Sequence, residues 1–172
     1  MNRLTKHIKR RLLRALPIII RRWTVKQARS EADSPKSDEV SGLGCEFIIE
    51  CPSQSMWALL FLRQMVAFQI LLSVGRFEEK RLLQVWDRIP LHAPIDGKSS
   101  ELKWVLLVPA PGFSEPQRLP SGHFQFLEFI GITEEEAAFA RNNGGDRLLA
   151  LLTQHKGAPV TDPSRESVLG GS

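Results

Sequence analysis

The stretch from Gly122 to Leu152, GHFQFLEFIGITEEEAAFARNNGGDRLLALL, constrains the fold more than any other part of the chain. Phe124 and Phe126 alternate with Gln125, which is the period of a half-buried strand. Leu127, Phe129 and Ile130 then break the alternation, so the strand ends buried on both faces or carries a bulge. Thr133 and Glu136 have the spacing of a capping box, in which a hydroxyl and a carboxylate satisfy amides of a helix's first turn. Glu134 and Glu135 sit where the helix dipole favours negative charge. Asn142-Asn143-Gly144-Gly145 is a stop signal, because Asn and Gly tolerate positive φ. Asp146 is placed to cap a second helix, whose apolar stripe is Leu148, Leu149, Leu151 and Leu152. The stretch is expected to read strand, capped helix, glycine turn, helix.

Upstream segments supply what this unit packs against. Gly44 to Glu50 reads as a strand with Phe47, Ile48 and Ile49 as a buried run; Pro52 stops it and Ser53 can cap the next helix. Met56 to Val74 is apolar nearly all round, with Arg63, Gln64, Gln69 and Ser73 as its polar positions. It is a helix of near membrane-spanning length, but Arg63 alone would cost roughly 2.5–3 kcal/mol in lipid. A helix buried under a sheet fits better, since the flanking segments are strands. Phe77 to Arg88 reads as a short helix or irregular segment, and Pro90, Pro94 and Gly97 mark a loop. Leu102 to Val108 is a central strand. A Pro-containing connection, Phe113 to Gly122, leads to the next strand, and such neighbours pair antiparallel. The expected fold class is α+β: a mixed, mainly antiparallel sheet against a long buried helix and two carboxy-terminal helices.

The charge is unevenly spread. Residues 1–26 hold 9 basic and no acidic side chains, leaving 23 − 9 = 14 basic against 19 acidic elsewhere, a net of −5. Leu4, Ile8, Leu12, Ala15, Ile19 and Trp23 would share one helical face in this segment, and Pro17 would kink or end that helix. Three readings of residues 1–26 stand: a weak contact with an anionic membrane surface, a contact with acidic protein or nucleic acid, or an appendage that does little or stems from a misassigned start codon. The expected organisation is a basic amphipathic appendage at 1–26, a polar linker at 27–41 and one domain at 42–169. The acidic balance of the remainder argues against nucleic acid as the domain's partner. Cys45 and Cys51 flank one strand about 20 Å apart, too far for a disulfide within it, and are expected to stay reduced.

Catalytic templates fail. There is no Gly-rich phosphate loop, Cys-x-x-Cys, His-Glu-x-x-His or Gly-x-Ser-x-Gly. His7, His92, His123 and His155 have no partner at helical ligand spacing. Glu134, Glu135 and Glu136 are better read as helix-start charges on a solvated face than as paired acids. Neither Cys45 nor Cys51 has a basic neighbour to lower its pKa. No catalytic, cofactor-binding or metal residue is named, and no cofactor is expected. What remains is binding, through a sheet edge that accepts a strand or an acidic surface that meets a basic partner.

Four segments, in order, resemble suppressor of fused domains. They are Val40 to Glu50, VSGLGCEFIIE; Leu102 to Gly112, LKWVLLVPAPG; the Gly131-Ile132-Thr133-Glu134-Glu135-Glu136 and Gly144-Gly145-Asp146-Arg147-Leu148-Leu149 unit; and Thr161 to Val168, TDPSRESV. The similarity runs over roughly residues 28–169. The resemblance implies a long helix at Met56 to Val74. His92 matches a Gly-His pair of the family only in part, because Leu91 precedes it. The chain has no Tyr, and Thr24 to Glu31 only faintly matches the family's early aromatic segment, so a domain short of its usual amino-terminal part is expected. The family consists of non-enzymatic, inhibitory binders. Its animal member sequesters a transcription factor, and its bacterial members resemble immunity proteins against polymorphic toxins. The resemblance thus implies a cytoplasmic protein that neutralises a toxin by stoichiometric binding. A scaffold recruited to a membrane surface or partner by its basic amino-terminal helix is the alternative.

Overall fold

The computed structural model describes residues 40–77, 81–113, 115–155 and 160–170. The appendage and most of the linker expected at 1–41 lie outside them. The elements in order are β1 (Val40–Ile48), α1 (Met56–Ser73), β2 (Arg88–Pro90), β3 (Trp104–Pro109), β4 (Gln117–Leu119), β5 (Gly122–Ile132), α2 (Glu134–Asn143) and α3 (Gly145–Gln154). The sheet runs β1-β5-β3-β2, with β4 also on β5. β1 pairs parallel to β5, and every other pairing is antiparallel. The α+β class, the mixed sheet and the antiparallel β3–β5 pair are as the residues imply.

β5 is central, and it is buried on both faces from Leu127 to Ile132. Alternation sends Leu127 and Phe129 to one side, with Val105 and Leu107 of β3, against Phe61, Leu62 and Met65 of α1. Phe129 lies edge-on to Phe61, with ring centroids 5.1 Å apart, and also meets Phe47 of β1. Ile130 and Ile132 go to the other side, with Leu106 and Val108, against Ala137 and Ala140 of α2 and Leu148 and Leu152 of α3. The sheet therefore separates two cores.

The expectation that α1 is buried holds for one face only. Ala58, Phe61, Leu62, Met65, Gln69 and Leu72 are buried, while Met56, Leu59, Leu60 and Leu71 are exposed. By length and composition the helix could cross a membrane, yet its inner face carries a satisfied buried amide. Gln69 donates to Cys45 Sγ at 3.5 Å and accepts from the Leu83 amide at 3.0 Å. Ser55, not Ser53, occupies the N-cap, and no side chain caps the helix. β1 runs from Val40 rather than Gly44 and ends at Ile48.

Two short strands, β2 and β4, fall where irregular chain is expected. β2 aligns Ile89 with Val105, and Trp86 N–H donates to the Leu107 carbonyl at 2.7 Å, extending the contact below the strand. Trp86 takes a φ of 71°, which carries its ring over Gly145. A Cβ at Gly145 would lie 2.8 Å from Trp86 Cε3, so only glycine allows α3 to start there. Asp146 is correspondingly not a cap: Gly144 holds that position, and Asp146 contributes charge to the first turn.

Candidate functional site

The capping box forms as its spacing demands. Thr133 Oγ1 accepts from the Glu136 amide at 3.2 Å, and Glu136 Oε2 accepts from the Thr133 amide at 2.9 Å. Glu134 and Glu135 are exposed, but Glu136 is fully buried, which corrects its reading as a solvated helix-start charge. The reason lies in the carboxy-terminal tail. Asp162 accepts from the Ser164 amide and hydroxyl, at 2.9 and 2.7 Å, making a turn that aims Arg165 inward. The Arg165 guanidinium meets both Glu136 oxygens, at 2.7 and 2.5 Å, and also donates to the Gly131 carbonyl at 2.8 Å. The Val168 amide supplies a further bond to Glu136 at 2.9 Å. Burial would raise the Glu136 carboxyl. The Arg165 and Val168 bonds, the Arg165 charge and the Thr133 bond outweigh it and hold the carboxyl below its ordinary value. This cluster pins the tail to the sheet and exposes nothing to a ligand.

Glu128 is the opposite case. It sits at the middle of β5, paired with Ile48 of β1 and Val108 of β3, and is 1% exposed. Its neighbours Leu127 and Phe129 face α1, so its side chain belongs to the other face of the sheet. Its Oε1 is the one buried side-chain polar atom without a hydrogen-bond partner among the described residues. Burial, and then the charge of Glu50, push its carboxyl up to about 7. It lines a cavity of about 190 Å³ whose walls include Ile48, Cys51, Ala110, Phe113 and Val160, with exposed Glu50 also on its lining.

The surroundings of both thiols disfavour the thiolate form. Burial pushes the Cys45 thiol up to about 11, and burial with the Glu128 and Glu50 charges does the same at Cys51. Both are free of disulfides. His92 is exposed in its loop with a φ of 59°, His123 is half-buried near the start of β5, and His155 follows α3. His7 lies outside the described residues. Among the described residues, no three His, Cys, Asp or Glu side chains are placed to hold a metal ion.

Sequence reasoning passed over Glu128 and Arg165. A single carboxylate inside the apolar run Leu127 to Ile130 was the available signal for the first. Arg165 gave none, because its partner lies in another element.

A mixed sheet with a different core on each face, and a cleft lined by Glu50 and Glu128, defines an α+β domain. A sequence profile for the Suppressor of fused protein (SUFU) family matches residues 26–166, and the chain belongs to that family. It is 30% identical to the mouse suppressor of fused homolog over 76 residues, a stretch covering 44% of this chain but 16% of the mouse protein. The human homolog is 29% identical over 76 residues, with the same coverage. Among solved structures, Drosophila Suppressor of Fused superposes with a TM-score of 0.64 at 20% identity, over 84% of this chain and 35% of that one. A suppressor of fused homolog from Neisseria gonorrhoeae gives 0.55 at 17% identity, over 76% and 66%. A chain of the Sufu–Fu complex gives 0.57 at 22% identity, over 84% and 63%. These likenesses extend the fold assignment across most of the chain. The chain spans a small part of the length of the curated relatives it matches.

Proposed function

We propose that this protein acts by stoichiometric binding of a protein partner, without catalysis, in the cytoplasm, and that its role is immunity: it occupies and silences a toxin. The observation that carries the reading is the acidic balance, net −5 once the basic residues 1–26 are set aside, with Glu128, which has an unpartnered buried oxygen, and Glu50 together on the lining of one cleft. A surface of this charge attracts a basic partner and disfavours nucleic acid. The edge strands β1 and β2 offer backbone groups for strand addition. Family membership supports the reading, as does the existence of a Sufu–Fu complex for a relative of the same fold.

The test is co-expression with the toxin candidate encoded in the adjacent reading frame. A 1:1 complex on size exclusion and rescue of growth are the expected results; no complex and no rescue would overturn the immunity role. The basic segment supports a second reading, recruitment to an anionic membrane. Deleting residues 1–26 separates them: immunity should survive the deletion, whereas liposome binding should be lost.

A further inference from the structure

We propose that the cleft over Glu128 is a socket for a lysine side chain of the partner protein, with the ammonium group received by Glu128 at its floor. The inference rests on the protein-binding reading for the source of the lysine. The geometry carries the chemistry. Glu128 is 1% exposed on the middle strand, where its neighbours Leu127, Phe129 and Ile130 show what packing alone would select. A carboxylate kept there with a bare oxygen is destabilising unless something cationic reaches it. Glu128 lines a cavity of about 190 Å³, and a turn of its carboxylate would bring the bare oxygen, itself sealed from solvent, to the cavity wall. Its walls, Ile48, Ala110, Phe113 and Val160, are apolar and suit the methylenes of a long side chain. Glu50 adds a second negative charge on the lining.

One bare acceptor oxygen selects among cations. Guanidinium binds best to two carboxylate oxygens in a fork, whereas an ammonium is a point donor that needs one. Hard divalent ions need six or more oxygen ligands, or several waters in their place. The Cys51 thiol, pushed up to about 11, stays protonated at neutral pH and offers no thiolate. The titratable groups facing Glu128 among the described residues are Glu50 and Cys51, both following β1; Val108, Ala110 and Phe113 bring none. An ammonium in the cleft reverses the effect of burial and of Glu50. Binding therefore drives a proton off Glu128 and tightens as pH rises through about 7.

The experiment follows the side-chain carboxyl carbons of ¹³C-glutamate-labelled full-length chain by NMR, from about pH 5 to 9. The probe is n-butylammonium chloride, a lysine side chain without its backbone. Glu128, assigned by its absence in Glu128→Gln, should titrate near 7 alone and at least about one unit lower with saturating probe. n-Butanol should leave it unmoved, and n-butylguanidinium should bind about tenfold more weakly. Glu50→Gln should weaken the response without abolishing it. A fixed Glu128 midpoint, an equal shift with n-butanol or magnesium, or a stronger response to guanidinium would overturn the socket. The partner complex supplies the second arm: Glu128→Gln should weaken it about tenfold or more, and unchanged affinity would overturn the socket's role there. A chain that takes butylammonium yet captures no protein fails the protein-binding reading while leaving the socket standing.

Discussion

Two buried glutamates stand at opposite ends of the range of outcomes open to a carboxylate removed from water. Glu136 accepts from two amides and a bidentate guanidinium, and its charge is locked in. Glu128, on the adjoining strand, has a bare oxygen and titrates near neutrality. Burial is nearly equal at the two positions, 0% and 1% exposure, so desolvation is not what separates them. Donor supply is. Among the described residues, the tail supplies donors to Glu136 and none to Glu128 Oε1. A compensated buried charge builds the fold; an uncompensated one is destabilising until a partner arrives.

Three experiments strain this contrast. Arg165→Ala should be the most damaging, at about 3–5 kcal/mol in urea unfolding at neutral pH, because it strands the Glu136 charge. Adding Glu136→Gln should recover part of that loss; strict additivity would mean the two do not act as a pair.

Glu128→Gln should do the reverse and stabilise the free protein by about 1–3 kcal/mol at a pH well above 7. The sign follows from the proton. The unfolded carboxyl ionises near 4.5 and the folded one near 7, so between them the folded state holds the extra proton. Stability falls as pH rises through that window, and the advantage of Gln should fade below about 4.5. Glu136 has the opposite profile. Its folded carboxyl is held below 4.5, so its contribution is present above that pH and lost as pH falls further. Denaturation midpoints of wild type and Glu128→Gln across pH check both limbs.

Thr133→Ala should be the mildest, about 1 kcal/mol, because it removes one cap acceptor while the other Glu136 donors remain. A loss as large as that of Arg165→Ala would show that the capping box, not the ion pair, organises the region.

Much of the architecture could be read from residues close in sequence. The Thr133–Glu136 box, the Asn-Gly stop before α3, the span of α1 and the doubly buried end of β5 all arise from local periodicity or capping. β2 and β4 could not, because three residues show no period and each strand exists through its neighbour. The outer face of α1 misled for a related reason: an apolar helix states that it has partners, not on how many sides. At the site, the lone glutamate in the apolar run was visible, but its missing donor was not, since a donor can come from any element. Glu136 makes the point from the other direction, for its donor Arg165 comes from the tail.

The parallel pairing of β1 with β5 sets a schedule for the chain. Cys45 meets Gln125 and Ile48 meets Glu128, so the earliest described strand is completed by the latest. A ribosome adding about 5–20 residues per second exposes β1 and α1 for seconds before β5 emerges. Until then the apolar helix has no sheet to cover, and neither edge of β1 has a neighbour. The sheet closes only once β5 has emerged, which makes this interval the time of greatest exposure to self-association and to chaperones.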